Sequence, residues 1–275
     1  MKKYSVQYNN IITLDNLLQS WQGFLRGKKR RNDVMLFQMR LICNLCSLHK
    51  ELLEKTYVHG GYVAFNISDP KPRSIHKAAV RDRVLHHLLY RKLYPYFDKR
   101  FIAQSFSCRE NKGTHKALEA FRKAARSASR NNTVSCYVLK CDIKKFFASI
   151  DQSILLRILE KYIEDRDLLW LIGRIVSSFS AGRRGIGLPL GNLTSQLFVN
   201  VYMNELDMFI KHTLKARHYI RYADDFVVMS ESKAYLENML PEIKNFLAVQ
   251  LGLSLHENKV YIKTYASGVD FLGWI

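Results

Sequence analysis

The sequence predicts an α/β (α+β) fold, with an antiparallel sheet flanked by helices following a mainly helical N-terminal part. Three observations lead there. Apolar residues at helical spacing dominate the first part of the chain. From residue 137 the pattern becomes a strand, helices and then a pair of strands. Acids stand at the ends of these apolar strands: Asp142 closes Tyr137-Val138-Leu139-Lys140-Cys141, and Asp224-Asp225 separates Tyr219-Ile220 from Phe226-Val227-Val228-Met229. Acids are poor strand formers and costly to bury unpaired, so a pair at the tip of a tight hairpin points to a held cation.

The elements follow in order. Residues 13–27 and 33–56 carry helical spacing, with Thr13 as N-cap and Leu14, Leu17, Leu18, Trp21, Phe24 and Leu25 on one face. Gly60-Gly61 ends the second helix, and Tyr62 to Ile67 reads as a strand. Asp69-Pro70-Lys71-Pro72 is a turn signal, after which Arg73 to Lys77 returns as the partner of a basic hairpin. Residues 78–94 are helical and end at Pro95; residues 113–130 form a strongly basic helix opened by Gly113-Thr114. Strand 137–143, helices over 151–178, a glycine-rich loop at 182–191 and a helix at 192–212 precede the two strands around Asp224. Asn192 or Thr194 is placed to cap the helix that follows the loop. Residues 232–250 are helical, and Val260–Tyr265 and Val269–Trp274 read as extended. A cluster of Ser, Asn and Thr near 131–136 marks the expected domain boundary. The expected division is 1–60 as a helical extension, 61–135 and 136–275, with the last two interleaved around 151–190.

Composition bounds the function. The 275 residues are 48% hydrophobic and 12% aromatic, enough for one large domain or two lobes. Lys plus Arg number 43 against 24 Asp plus Glu, a net charge of +19, which points to a polyanionic partner. The cations are spread through the chain, as a long groove requires, rather than gathered in a tail. Five cysteines without regular spacing, including the lone pair Cys43 and Cys46, fit small core residues of a reducing compartment. No apolar run reaches the ~18 residues of a membrane span. The start Met1-Lys2-Lys3-Tyr4 lacks a signal-peptide apolar stretch, so the expectation is cytoplasmic, without a membrane.

Taken singly, Asp142, Asp224 and Asp225 are as well explained as turn residues or helix caps. Together, at two strand ends, three carboxylates are the hard-oxygen donors that Mg²⁺ takes alongside phosphate oxygens and water. The segments Asp142-Ile143-Lys144-Lys145-Phe146-Phe147, Tyr222-Ala223-Asp224-Asp225 and Phe271-Leu272-Gly273-Trp274 occur in this order, and the chain resembles a reverse transcriptase from about Lys71 to Trp274.

That resemblance implies a right-hand polymerase with fingers over 61–135 and palm over 136–275, an RNA-directed DNA polymerase using two Mg²⁺ ions, with Mn²⁺ as an alternative. Its partners would be an RNA template, the RNA/DNA hybrid and dNTPs. Asp142 and Asp224 would bind both metals, the Ile143 carbonyl would touch one, and Asp225 would be the less direct ligand. Phe147 falls at the steric gate that rejects a ribo 2′-hydroxyl. Arg73, Lys77 and Arg83 would hold the triphosphate, and Lys259 would protonate leaving pyrophosphate. Arg109 and Lys112 lie in Ser107-Cys108-Arg109-Glu110-Asn111-Lys112-Gly113, similar to a template-side segment of the family. Tyr222, Leu272, Gly273 and Trp274 would meet nucleic acid.

The loop Leu188-Pro189-Leu190-Gly191-Asn192-Leu193-Thr194-Ser195-Gln196 has Leu190 where many members carry Gln. Its Leu-Gly-x-x-x-Ser-Gln form resembles reverse transcriptases of diversity-generating retroelements. That implies misincorporation opposite template adenines and a basic accessory protein, with Leu190 and Gly191 against the nucleotide and Ser195 and Gln196 near the nucleic acid. Group II intron-like and phage-defence enzymes, and a non-catalytic RNA-binding module on the same fold, are the alternatives. The family's helical thumb has no counterpart before Ile275, and is expected to be absent or truncated.

Overall fold

The computed structural model describes residues 2–68 and 72–274. In chain order its elements are α1 (Tyr8–Ile11), α2 (Leu14–Phe24), α3 (Asn32–Met39), α4 (Leu41–Leu53), β1 (Tyr62–Ser68), β2 (Pro72–Ala78), α5 (Val80–Asp98), α6 (Thr114–Ala128), β3 (Tyr137–Asp142), α7 (Phe146–Ser149), α8 (Gln152–Tyr162), α9 (Arg166–Val176), α10 (Leu193–Met208), β4 (His218–Tyr222), β5 (Asp225–Ser230), α11 (Lys233–Leu251) and β6 (Tyr261–Thr264). The mixture of helices and antiparallel strands is the expected α/β (α+β) class. The turn expected at Asp69-Pro70-Lys71 lies outside the described residues.

Local chemistry explains the boundaries. Thr13 caps α2 by accepting from the Asn16 amide, Asp165 caps α9 through the Leu168 amide, and Ser232 caps α11 through the Tyr235 amide. Gly252 in the left-handed region (φ 59) closes α11. Residues 33–56, expected as one helix, are two: Arg40 leaves helical geometry (φ −121, ψ 34) between α3 and α4. Pro95 does not end α5, which runs on to Asp98 with the ring in its last turn, where few hydrogen bonds remain to be lost. Residues 269–274 are not an extended segment but end in a tight turn. Phe271 and Trp274 exchange backbone hydrogen bonds across Leu272 (φ 58) and Gly273 (φ 82).

The chain forms two compact units, Met1–Lys99 with Gln152–Phe198, and Arg100–Asp151 with Val199–Ile275. Thus no single boundary near 131–136 separates them. Residues 100–135 belong with the four-stranded sheet because α6 needs that sheet to bury its apolar face.

In the first unit α2 packs on α5, with Leu17, Trp21, Phe24, Leu85, Leu88 and Leu89 buried. Here β1 and β2 form an antiparallel hairpin in which Val63 faces Lys77, Phe65 faces Ile75 and Ile67 faces Arg73.

In the second unit the sheet order is β4-β5-β3-β6, all antiparallel. One face carries Val138, Ile220, Val227 and Met229 against Ala117, Phe121, Ala125 and Ala128 of α6 and against Phe271. Three alanines at helical spacing let α6 lie close to the strands, while Lys116, Arg122, Lys123 and Arg126 stay in solvent. Helix α11 covers β3 and β5. All five cysteines are free. The expectation of core cysteines holds for Cys136 and Cys141 alone; Cys43, Cys46 and Cys108 are exposed, on the outer face of α4 and in a loop.

Candidate active site

The three aspartates come together at one end of the four-stranded sheet. Asp142, the last residue of β3, stands directly opposite Asp225, the first of β5. Directly opposed residues of an antiparallel pair share a face, so the two carboxylates are neighbours. Tyr222 pairs with Asp225, which leaves Ala223 and Asp224 as a two-residue loop, with Ala223 in the left-handed region (φ 57). The Asp224 carbonyl accepts from the Ile143 amide at 3.1 Å, tying the hairpin tip to the end of β3. On the other side, the Asp142 carbonyl accepts from His256 and the Ser254 carbonyl from Lys144. The backbone of both acidic segments is therefore held at several points.

Two lysines meet these acids. Lys259 donates to both Asp142 carboxylate oxygens, at 3.1 and 3.0 Å. Lys140, buried in mid-strand, donates to the Asp270 carbonyl at 2.7 Å and lies 3.5 Å from Asp225 Oδ2. Burial raises the Asp225 carboxyl, Lys140 pulls it back, and the negative charges of Asp142 and Asp224 raise it again, to about 7. Its Oδ1 is buried without a hydrogen-bond partner.

An orphaned carboxylate oxygen beside two more carboxylates suits a divalent cation. Among the described residues no group of three or more His, Cys, Asp and Glu side chains could by itself hold a metal ion.

The other candidates of this unit fall into place unevenly. Phe147 is half-buried at the start of α7, its ring edge-on to Phe146 after a left-handed Lys145. The Tyr222 hydroxyl accepts from Thr114 of α6. Leu272 and Gly273 form the tight turn, and Trp274 is exposed. Arg109 and Lys112 serve their own loop: Arg109 donates to the Ile102 and Ser105 carbonyls, and Lys112 to that of Ala103.

The remaining candidates are in the first unit. The Leu190 carbonyl accepts from the His76 amide of β2 at 2.9 Å, and the Asn192 side-chain amide donates back to the His76 carbonyl at 3.0 Å. This double link fastens the loop to the hairpin. Gly191 (φ 107) is required between them, since a Cβ there would sit 2.8 Å from Ile75 Cγ2. Asn192 therefore spends its amide on β2. Thr194 Oγ1 lies 2.6 Å from Nδ1 of fully buried His86, whose pKa burial pushes down to about 3. Ser195 is buried and Gln196 half-buried.

Two of the triphosphate candidates are already paired. Burial works against it, but Lys77 and Arg83, both bonded to Asp33, hold that carboxyl below its ordinary range. Arg73 is exposed on β2 and has no ion pair among the described residues.

Three residues escaped the sequence reading. Gln152 reaches from α8 to the carbonyls of Phe179 and Gly187 and holds the glycine-rich loop. Lys140 was legible as a lone charge inside an apolar strand. Arg221 was too, one residue before Tyr222.

A sheet end bearing three carboxylates, two on adjoining strands and one in the hairpin loop, is an arrangement that suits metal-assisted phosphoryl transfer. A sequence model described as "Reverse transcriptase (RNA-dependent DNA polymerase)" matches residues 67–275. The chain belongs to the reverse transcriptase family. It is 25% identical to "Protein YkfC" of Escherichia coli (strain K12), covering 88% of this chain and 73% of that one. It is 20% identical to the "Putative COX1/OXI3 intron 2 protein" of Saccharomyces cerevisiae, over 97% of this chain and 35% of the relative. The "Putative COX1/OXI3 intron 1 protein" of the same yeast is 22% identical over 72% of this chain and 30% of the relative. The chain thus spans about a third of the intron proteins it matches. No helix among the described residues is long and apolar enough to cross a membrane.

Proposed function

We propose that this chain copies RNA into DNA, adding dNTPs to a primer 3′ end, with the first unit serving as fingers and the second as palm. The observation that carries this reading is the pairing of Asp142 with Asp225 across β3 and β5, with Asp224 tied to Ile143. Asp142, Asp224, Asp225 and the Ile143 carbonyl would hold the divalent ions. Two bound Mg²⁺ or Mn²⁺ ions supply the charge that activates the primer hydroxyl and stabilises leaving pyrophosphate. In the step itself the primer 3′-oxygen bonds to the α-phosphorus as the bond to the pyrophosphate oxygen breaks, and the hydroxyl proton passes to solvent.

The chain's own side chains orient and discriminate. Lys259 is held at Asp142 only through its ammonium, so neutralisation of Asp142 frees it to give a proton to pyrophosphate. Arg73 would meet the triphosphate: of the three candidate cations it is the one without an ion pair among the described residues, since Lys77 and Arg83 are engaged by Asp33. Phe147 excludes a 2′-hydroxyl and selects deoxynucleotides. Leu190 and Gly191 bound the nucleotide. Trp274, with Leu272, Gly273 and Tyr222, guides the hybrid, which is bound mainly through phosphates and 2′-hydroxyls. Lys112, Arg109, Ser195 and Gln196 act by shaping the surfaces beside it.

Primer extension on an RNA template tests this reading. The wild type is expected to extend, and Asp224→Ala to lose at least about 100-fold in rate. Equal extension by both, or none by the wild type under varied Mg²⁺ and Mn²⁺, would leave the fold as an RNA-binding module.

The finer reading is an enzyme of a diversity-generating retroelement, working with a basic accessory protein and misreading template adenines. Leu190 supports it, because an aliphatic side chain cannot make the polar contact of Gln and loosens geometric selection. The likeness to intron proteins favours an intron-type enzyme as the second reading. Sequencing cDNA from an adenine-containing template separates them. Substitutions concentrated opposite adenine, and fewer in Leu190→Gln, are the expected result; faithful copying by the wild type selects the intron-type reading.

A further inference from the structure

Arg221 and Asp207 are both 0% exposed, on the face of β4 opposite α6. Asp207 comes from the last turn of α10, and its carboxylate receives a bidentate pair from Arg221, Nε to Oδ1 and Nη2 to Oδ2, each 2.7 Å. The Tyr219 hydroxyl donates to the same carboxylate. The other guanidinium hydrogens go to Asn200 Oδ1 at 3.2 Å, the Ala223 carbonyl at 3.2 Å and Ser105 Oγ at 3.0 Å. A guanidinium has five donors, and all five are used. The backbone of Arg221 is engaged as well: its amide donates to the Gln104 carbonyl, and its carbonyl accepts from Phe106. One residue thereby joins the 104–106 segment, α10 and the hairpin tip.

Stability alone does not account for this. A buried ion pair is no better for stability than well-packed apolar residues of the same volume, because desolvation offsets the attraction. The neighbouring positions of this face, Tyr219, Phe226 and Val228, show that the sheet takes large apolar groups here. What apolar residues cannot do is hold the Ala223 carbonyl. Ala223 sits in the left-handed region, which a residue with a Cβ rarely adopts, and immediately precedes Asp224.

We propose that Arg221, seated by Asp207, is a positioning residue that locks the Ala223-Asp224 turn and so sets the placement of the Asp224 and Asp225 carboxylates. The locking acts through the Ala223 carbonyl, and Asn200 and Ser105 keep the guanidinium plane fixed. Its catalytic consequence rests on the reading of the three aspartates given above; its effect on the turn does not.

The test is an apolar exchange in the full chain, Asp207→Leu with Arg221→Met, beside Arg221→Lys and Asp224→Ala. Each is measured for thermal midpoint, for hydrogen–deuterium exchange of peptides covering 218–230, and for primer-extension kinetics across Mg²⁺ concentrations. The double variant is expected to keep a midpoint within a few degrees of wild type. Its amides at 222–226 are expected to exchange at least about tenfold faster without metal. Its kcat is expected to fall by about 10- to 100-fold, with the half-saturating Mg²⁺ concentration raised and the KM for primer–template little changed. Arg221→Lys, which keeps the charge and loses the fork, is expected to show the same exchange and kinetic changes. Wild-type exchange at 222–226 in a folded double variant, or in Arg221→Lys if the double variant does not fold, overturns the proposal. So does faster exchange with unchanged kcat and Mg²⁺ response. Undiminished activity in Asp224→Ala instead overturns the catalytic reading, with the exchange data still deciding whether the turn is locked.

Discussion

Asp225 is where single-residue chemistry is most exposed to measurement. In the folded, metal-free protein its carboxyl titrates near 7, against an ordinary value of 3.8. The folded state therefore holds a proton that the unfolded chain has released between these values. Stability contributed by this group is present at low pH and declines as pH rises from about 4 to 7. The loss is on the order of a few kcal/mol, and Asp225→Asn is expected to remove it. Thermal unfolding in EDTA at pH 5 and pH 8 checks this: the gap between the two midpoints is expected to shrink in the variant. A divalent cation favours the charged carboxylate and is expected to draw the titration downward.

The acids were legible at this scale because a charge in an apolar strand is conspicuous in one dimension. The pairing of Lys77 and Arg83 with Asp33 could not be read from the sequence, since Asp33 lies 44 and 50 residues earlier and no local pattern announces the meeting. Gln152 was invisible for the same reason: an amide at the start of α8 looks like any surface residue until its two carbonyl acceptors are seen.

Among the elements, α6 and the Phe271–Trp274 turn form one mechanical piece. Phe121 stacks on Phe271 with centroids 5.1 Å apart and lies 5.9 Å from Tyr265. Phe121→Ala is expected to cost about 3–5 kcal/mol, by loss of buried area and a residual cavity. Chemical denaturation measures the cost, and Trp274 fluorescence in native buffer is expected to change as the turn loses its seat.

Most element positions followed from periodicity and caps, and Thr13 is the clearest case. The misses have local physical causes. Residues 33–56 keep apolar spacing through Arg40, so the break shows only in its dihedral angles. Pro95 is tolerated because the helix has a single turn left to run. The 269–274 segment reads as extended because Leu272 is a poor turn former; its positive φ follows from the closure of Phe271 onto Trp274.

Over the whole molecule, the excess of 43 basic over 24 acidic residues is the dominant long-range property. Template affinity is expected to fall steeply with salt. Each phosphate contact removed, for instance at Arg122 or Arg126 on the exposed face of α6, is expected to reduce the slope of log K against log salt by about 0.9 or somewhat less. Fluorescence anisotropy of a labelled hybrid across a salt series gives that slope; an unchanged slope would show that α6 does not meet the backbone. The fold class and the acidic sheet end were open to reading from the sequence, because the strands are apolar and the acids interrupt them. The division into units was not. The chain changes unit after 99, 151 and 198, positions without any run of Gly, Pro or Ser to mark them.

Cys141 gives the sheet a clock of its own. It is fully buried on β3 beside Asp142, and burial pushes its thiol far up from the ordinary range. Cys43, Cys46 and Cys108 are open to solvent. A thiol-reactive reagent will therefore label three cysteines at once, while Cys141 waits for β3 to part from its neighbours. In a chain with the exposed cysteines replaced by serine, the labelling rate at position 141 becomes a direct count of how often β3 opens. A bound nucleotide that steadies the strand would slow that count.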